Sequence, residues 1–139
     1  MMKALDISAS ALEAQRVRME VVSQNLANAQ TTRATKAPDG SFLPYRRRET
    51  VFKALLGEAL DGPRGGVRVD RIQEDKSDFR LEYSPHHPDA DAQGTVKLPN
   101  VDILMEMVDL MEASRAYEAN ITAMDATKAM AASSLRILA

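Results

Sequence analysis

The sequence predicts a mainly α-helical protein in which two long terminal helices flank a small β-rich insert. Apolar residues recur at helical spacing from Ala4 to Gln30 and again from Val101 to Leu138. Every glycine and every proline lies between residues 31 and 99, where short runs with alternating apolar side chains are typical of strands. We therefore expect an N-terminal helix in 1–30, a β-rich and loop domain in 31–99, and a C-terminal long helix in 100–139.

The N-terminal range carries a narrow apolar stripe. Four apolar residues recur every seven positions, namely Leu5, Leu12, Met19 and Leu26. This is the spacing of one helical face, and at a rise of ~1.5 Å per residue the helix would be roughly 40 Å long. Gln15 falls inside the predicted stripe. Thr, Pro and Gly residues beyond position 30 end the helical pattern.

The C-terminal range carries a longer helical pattern. Its stripe positions alternate at spacings of three and four, as in the a and d positions of a coiled coil: Met107, Leu110, Ser114, Tyr117, Ile121, Met124, Lys128, Ala131, Leu135 and Leu138. No Gly or Pro interrupts the run, whose length would be roughly 57 Å. Asn100 is interpreted as the N-cap, with Asp102 in the first turn. The polar stripe residues either fix the helix register or indicate that the stripe is slightly misplaced.

The middle range contains four candidate strands. They are the alternating runs GVRVDRI (66–72), FRLEY (79–83) and GTVKL (94–98), together with YRRRETVF (45–52). GEALDGPRGG (57–66) is predicted to be a loop, because it is rich in glycine.

Composition excludes several classes of function. The net charge of −2 gives no electrostatic case for nucleic acid or an anionic membrane, and the absence of Cys excludes disulfides and thiolate chemistry. Charged residues interrupt the N-terminal apolar pattern, so we expect no cleaved signal peptide. No apolar run reaches the ~18 residues of a membrane-spanning helix. Only 4% of residues are aromatic, which predicts a shallow core that partners complete.

The stretch HPDADAQGTVKLPN, from His87 to Asn100, resembles a calcium-binding loop at its first six positions. Counted from Asp89, the residues Asp89, Asp91, Gln93 and Gly94 match positions one, three, five and six, but position twelve is Asn100 where such a loop needs a bidentate Glu. Prolines also lie on both sides, where a calcium-binding loop has its flanking helices. A polar turn is therefore the favoured interpretation. The only histidines, His86 and His87, are adjacent and indicate a surface turn, so we expect no metal site, cofactor or catalysis.

Two further features keep alternative interpretations. Arg46, Arg47 and Arg48 could contact phosphates, but the net acidic chain favours a solvated strand or loop edge, with salt bridges to a neighbouring subunit as an option. The methionines of the C-terminal range, Met107, Met111, Met124 and Met130, indicate either ordinary helix packing or an interface that accepts non-equivalent neighbours.

Three blocks resemble the axial proteins of the bacterial flagellum, and in particular the proximal branch of the basal-body rod protein family. The first block spans 4–33 and contains the N-L-A-N core at Asn25–Asn28; it continues into TTR and, at 44–48, PYRRR. The second is HPDADAQGTVKLPNVD. The third, EMVDLMEASRAYEANITAMDATKAM, spans 106–130. Thr95, where the family usually has an aromatic, and Asp102, where it usually has Asn, depart from the pattern.

The resemblance implies a structural subunit, not an enzyme. Such proteins pass through the flagellar type III export apparatus without a cleaved signal, and polymerise into a hollow rod that crosses the periplasm and transmits torque from rotor to hook. Their terminal helices form an inner domain around the export channel, with a β-rich domain outside. The implied partners are copies of the chain, other rod proteins, and rod-base and export-gate proteins, with no nucleic acid and no small-molecule substrate.

Residues on the two predicted stripes, together with the N-L-A-N asparagines, are the expected assembly interface: Leu5, Leu12, Met19, Leu26, Asn25, Asn28, Met107, Leu110, Tyr117, Ile121, Met124, Leu135 and Leu138. Asn25 and Asn28 are interpreted as residues that cap the backbone where the first helix ends. HPDADAQGTVKLPN is interpreted as the segment that positions the C-terminal helix. The alternatives are a non-catalytic coiled-coil adaptor for a single protein partner and a metal-regulated binding module.

Overall fold

The computed structural model describes residues 2–38, 40–55 and 65–138. Within these ranges the chain forms two long helices and six strands: α1 (Met2–Ala27), β1 (Thr35–Lys36), β2 (Phe42–Leu43), β3 (Arg48–Ala54), β4 (Val67–Glu74), β5 (Arg80–Tyr83), β6 (Thr95–Leu98) and α2 (Ile103–Leu138). Two long helices flanking small sheets confirm the predicted fold class, whereas coiled-coil pairing of the helices stays a prediction. Most of the predicted loop at 57–66 lies outside the described residues.

The strands form three two-stranded sheets, β1–β2, β3–β4 and β5–β6. The first and third are antiparallel. All four predicted strands are confirmed as β3, β4, β5 and β6, and β1 and β2 are additional. In β5–β6, Tyr83 lies opposite Thr95 and Glu82 opposite Val96, so alternate residues face opposite sides of the sheet. Val96 is buried and Tyr83 is exposed.

The chain divides into two compact units. Unit 1 comprises Met1–Glu20, Thr50–Ile72 and Leu110–Ala139; unit 2 comprises Val21–Glu49 and Gln73–Asp109. Each unit combines pieces of both helices with part of the middle range. The expected division into an inner helical domain and an outer β-rich domain therefore stays a prediction. No helix in the described part of the chain has the length and apolarity to cross a membrane.

Unit 1 brings α1 against β4 and α2. The Ser10 hydroxyl donates to the Ile7 carbonyl at 2.7 Å and accepts the Val67 N–H at 3.2 Å. A Cβ on Gly66 would lie 3.0 Å from the Ser10 oxygen, so only glycine fits this approach without a shift. Arg18 on α1 and Glu112 on α2 form an ion pair at 3.7 Å.

Unit 2 contains the end of α1 and the start of α2. Its apolar core consists of Ala29, Tyr45 and Val101, with Ile103 packed against it. The Asp102 carboxylate accepts the backbone N–H of Leu104 at 2.9 Å, which makes Asp102 the N-cap of α2. The prediction that Asn100 caps this helix is wrong, because hydrogen bonds to other segments occupy the Asn100 side chain.

Candidate functional site

Helix α2 buries a different stripe from the one that the sequence predicts. A continuous series of buried or half-buried residues alternates at spacings of four and three: Glu106, Leu110, Ala113, Tyr117, Asn120, Met124, Thr127 and Ala131. Every second member matches the prediction, and the others lie one residue before the predicted position. The interior placement of Lys128 is wrong, because its side chain is exposed. Ala113 is fully buried, since its small side chain permits close helix packing.

Helix α1 is covered over a broader face than the predicted narrow stripe. Leu5, Leu12, Met19 and Leu26 are all half-buried. The most buried residues are instead Ala14, Val21, Val22 and Asn25. Gln15 is half-buried, and its side-chain oxygen is buried with no hydrogen-bond partner in the described part of the chain.

Asn25 is fully buried in unit 2 and uses the whole hydrogen-bonding capacity of its side chain. Its Nδ2 donates to the Arg48 carbonyl at 2.7 Å and to Glu106 Oε2 at 3.0 Å. Its Oδ1 accepts the Tyr45 hydroxyl at 3.0 Å and the Arg48 N–H at 2.9 Å. The interpretation of Asn25 as a helix cap is therefore wrong. Asn28 does cap the helix, since its Nδ2 donates to the Gln24 carbonyl at 2.9 Å.

Glu106 is also fully buried, and Arg47 is its second partner. Arg47 Nε donates to Glu106 Oε1 at 2.6 Å. The guanidinium also lies 3.7 Å from an Asp75 oxygen and 3.6 Å from an Asp109 oxygen. Burial disfavours the charged form of Arg47, but the hydrogen bond that Arg47 donates to Glu106 and the surrounding acidic charges outweigh this effect and raise the pKa of Arg47.

The backbone of Arg47 extends this cluster to a second loop. Its N–H donates to Asn100 Oδ1 at 2.8 Å, and Asn100 Nδ2 donates to Ser77 Oγ at 2.8 Å. The Arg47 carbonyl accepts the Asp75 N–H at 2.8 Å. Together Asn25, Tyr45, Arg47, Asn100 and Glu106 form what we call the polar network. Its side chains form hydrogen bonds mainly with each other and with nearby backbone groups. Such a network holds segments of the chain together.

The three consecutive arginines have different environments. Arg47 lies within the polar network, so its prediction as a solvated edge is wrong. The Arg46 guanidinium stacks 4.3 Å from the centre of the Phe79 ring and donates to the Asp75 carbonyl at 3.0 Å. The Arg48 side chain is exposed, as predicted.

The acidic stretch after β5 forms a turn, and its first aspartate, Asp89, is hydrogen-bonded to the segment that follows α1. Asp89 accepts the Thr32 hydroxyl at 2.7 Å and Arg33 Nε at 2.6 Å. The hydrogen bond from Arg33, followed by that from Thr32, lowers the pKa of Asp89. His87 Nδ1 accepts the Asp89 N–H at 3.1 Å, and His86 is exposed, which confirms the predicted surface turn.

Asp91 stabilises the same turn through hydrogen bonds from the turn's own backbone. One carboxylate oxygen accepts the N–H groups of Gln93 and Thr95, both at 2.9 Å. Gly94 has φ +77°, a left-handed conformation that favours glycine. The predicted polar turn is confirmed, because backbone and neighbouring side chains engage the carboxylates that a calcium loop would present as ligands.

The start of α2 exposes apolar side chains on the side opposite Glu106. Leu104 is 74% exposed, and Met105, Met107 and Val108 are also exposed. These four residues are the outward apolar face. At 100° per residue, Leu104 and Val108 point almost directly away from the buried carboxylate. This turn of α2 therefore has a charge inside and apolar groups in water.

The later turns of α2, in unit 1, also expose apolar residues. Ile121 and Met130 are exposed, and Leu135 is 69% exposed. Of the other residues expected at the assembly interface, Leu110, Tyr117 and Met124 are half-buried. The side chain of Leu138 lies outside the described residues. The interface assignment as a whole stays a prediction; Asn25 in particular makes its contacts inside its own chain.

Comparisons with known proteins identify the family. Residues 5–35 match the family model "Flagella basal body rod protein", and residues 92–137 match "Flagellar basal body rod FlgEFG protein C-terminal". The flagellar basal-body rod protein FlgC of Bacillus subtilis (strain 168) is 52% identical over 143 residues, covering 96% of this chain and 95% of the relative. The chain belongs to the FlgC family of flagellar basal-body rod proteins.

Other relatives agree over nearly the same span. FlgC of Borreliella burgdorferi is 42% identical, covering 96% of this chain and 95% of the relative. FlgC of Salmonella typhimurium is 45% identical, covering 90% of this chain and 88% of the relative. This FlgC-family chain is a structural rod subunit of the flagellar basal body and not an enzyme.

The polar network joins the two parts of the chain that the family models match. Asn25 lies in the first matched range and Glu106 in the second. Tyr45 and Arg47 lie between the two ranges and bond to one or the other of these side chains. Sequence reasoning did not find the network. The N-L-A-N motif was the one sequence signal of the network, because its Asn25 lies next to the predicted stripe residue Leu26.

Proposed function

We propose that this chain polymerises through its terminal helices into the hollow proximal rod, which surrounds the export channel and transmits torque from rotor to hook. In this proposal α1 and α2 form the inner domain and the β-rich middle range lies outside. Neighbouring subunits are copies of the chain and other rod proteins, with rod-base and export-gate proteins at the membrane end. The subunit reaches this position through the type III export apparatus without a cleaved signal peptide, as the family resemblance implies.

The outward apolar face carries this proposal. Leu104, Met105, Met107 and Val108 leave apolar surface in water over the first turns of α2. Covering such surface is favourable by roughly 25 cal/mol per Å². Contiguous exposed apolar residues on a helix indicate a protein contact site. Flexible methionines also allow one surface to pack against neighbours that are not identical.

Assembly of the purified chain tests this proposal. We expect sedimentation velocity to show large assemblies as concentration rises, with a gain of helix by circular dichroism. Ile121→Asp places a charge on the exposed apolar side of α2 and should suppress assembly. Thr122→Asp is the matched control, because it adds the same charge at the neighbouring exposed position.

Incorporation in cells is the second measurement. The chain, produced in a Bacillus subtilis strain that lacks its own FlgC, should be found by mass spectrometry in isolated basal bodies. A fully helical chain that stays monomeric at every concentration, and is absent from basal bodies, would contradict the proposal. A soluble one-to-one complex with a single cellular protein would instead support an adaptor.

A further inference from the structure

The charged residues of α2 are segregated along the helix. Residues 98–114 contain four acidic residues and no Lys or Arg, and residues 126–138 contain Lys128 and Arg136 and no Asp or Glu. The helix dipole favours this order only within the first and last turns. Glu112 and Lys128 lie more than one turn from the ends of the helix, so the helix dipole does not account for their placement.

Apolar exposure coincides with both charged segments. The acidic segment carries the outward apolar face, where Leu104 and Val108 are exposed. The basic segment carries exposed Met130 and Leu135. Glu106 is buried and bonded to Arg47, so the exposed carboxylates beside the outward apolar face are those of Asp102 and Glu112. The exposed charges of the acidic and basic segments thus have opposite signs. Lys128 and Arg136 are exposed and take part in no ion pair among the described side chains.

We propose that the acidic start of α2 in one copy docks against the basic end of α2 in a second copy. The inference rests on the proposed function and names the contact through which copies meet. Opposite charges at the rim favour this pairing and set its orientation. Start-to-start or end-to-end pairing would place like charges together. A contact between two different patches repeats from copy to copy, as an open assembly requires, whereas a contact of one patch with itself ends at a dimer.

Disulfide cross-linking tests the contact, because the chain contains no cysteine of its own. Leu104→Cys chains and Leu135→Cys chains are mixed, assembled and oxidised with copper phenanthroline. Disulfides form only where Cα atoms approach within about 7 Å. We expect disulfide-linked dimers that contain one chain of each kind. Either variant alone, or Glu118→Cys mixed with Leu135→Cys as the matched exposed control, should give little dimer.

Charge reversal provides an independent measurement. Lys128→Glu combined with Arg136→Glu should weaken assembly by about tenfold at low salt, because each exposed ion pair contributes up to about a factor of five. The loss should shrink as salt rises. Adding Glu112→Lys to the doubly reversed chain should recover part of the assembly. Circular dichroism checks that each variant keeps the helix content of the wild type.

The outcomes separate this contact from the proposed function. Normal assembly with dimers linked mainly through 104–104, 135–135 or 118–135, or with none linked through 104–135, overturns the contact while the rod function stands. Unchanged assembly of the charge-reversed chain also overturns it. A chain that never assembles contradicts the rod proposal and this contact together.

Discussion

Replacing Asn25 with aspartate tests whether the polar network holds unit 2 together. The substitution keeps the size of the side chain but turns an NH₂ donor into a carboxylate oxygen. It removes the donor that the Arg48 carbonyl accepts at 2.7 Å. It also places a second negative oxygen beside Glu106 Oε2, which now lies 3.0 Å from Asn25 Nδ2.

The magnitude follows from these two distances. Two unit charges about 3 Å apart repel by roughly 5 kcal/mol at an effective dielectric constant of about 20. Arg47, bonded to the other oxygen of Glu106, offsets part of the repulsion. The buried acceptor left without a donor adds about 1–3 kcal/mol. We expect the free energy of unfolding to fall by about 3–5 kcal/mol, a large part of the ~5–15 kcal/mol of a typical domain.

Urea denaturation followed by circular dichroism measures the change as a lower midpoint at pH 7. Burial and Glu106 raise the pKa of the new carboxyl, so the destabilisation is complete above that raised pKa and shrinks as pH falls below it. The gap from wild type should therefore narrow towards pH 4. Gln24→Glu, an exposed amide-to-carboxylate change at the preceding residue, is the control. Superimposable curves for Asn25→Asp and wild type, or equal losses in both variants, would refute the reasoning.

Three further changes test individual features. Tyr45→Phe removes a hydroxyl that donates to Asn25 at 3.0 Å and should lower the free energy of unfolding by about 1 kcal/mol, measured in urea. Gly94→Ala should lower the melting temperature more than Gly40→Ala: both glycines have positive φ, but only at Gly94 would the new Cβ lie 3.0 Å from a neighbouring ring, whereas the space at Gly40 is open. A backbone N–H bond lowers the pKa of Asp75 below its ordinary 3.8, so its stabilisation is present above that value and lost as pH falls through the lowered pKa. Asp75→Asn should consequently reduce acid sensitivity below about pH 4, measured by urea midpoints across that range.

Local pattern was sufficient for the main elements. Periodicity from Ala4 to Gln30 predicted α1, which spans Met2–Ala27, and the run from Val101 predicted α2, which spans Ile103–Leu138. Alternation of apolar and polar side chains predicted strands β3 to β6, because this pattern is visible within a few consecutive residues. Helical and strand periods depend on near neighbours in the chain, so the sequence alone reveals them. Strands β1 and β2 have two residues each, too few to show any period.

The buried network could not be predicted in the same way. Asn25 and Glu106 are separated by 81 positions, and Arg47 and Glu106 by 59. The apolar pattern places Met107 in the interior, because it contains no information on the distant residues that form hydrogen bonds with the preceding Glu106. The same limitation led to Asn100 being interpreted as a cap, although its side chain bonds to Arg47 and Ser77.

The buried carboxylate also determines which way α2 faces. Rotation of the first turns of the helix by about one residue, or 100°, would bring Met107 to the position of the buried carboxylate. With Glu106 bonded to Asn25 and Arg47, the same rotation would separate a carboxylate from an amide and a guanidinium. Breaking such a buried pair costs about 3–5 kcal/mol. Leu104 and its neighbours thus remain in water because a polar group holds the opposite side of the helix, and this orientation leaves the outward apolar face exposed for the contact that we propose with another subunit.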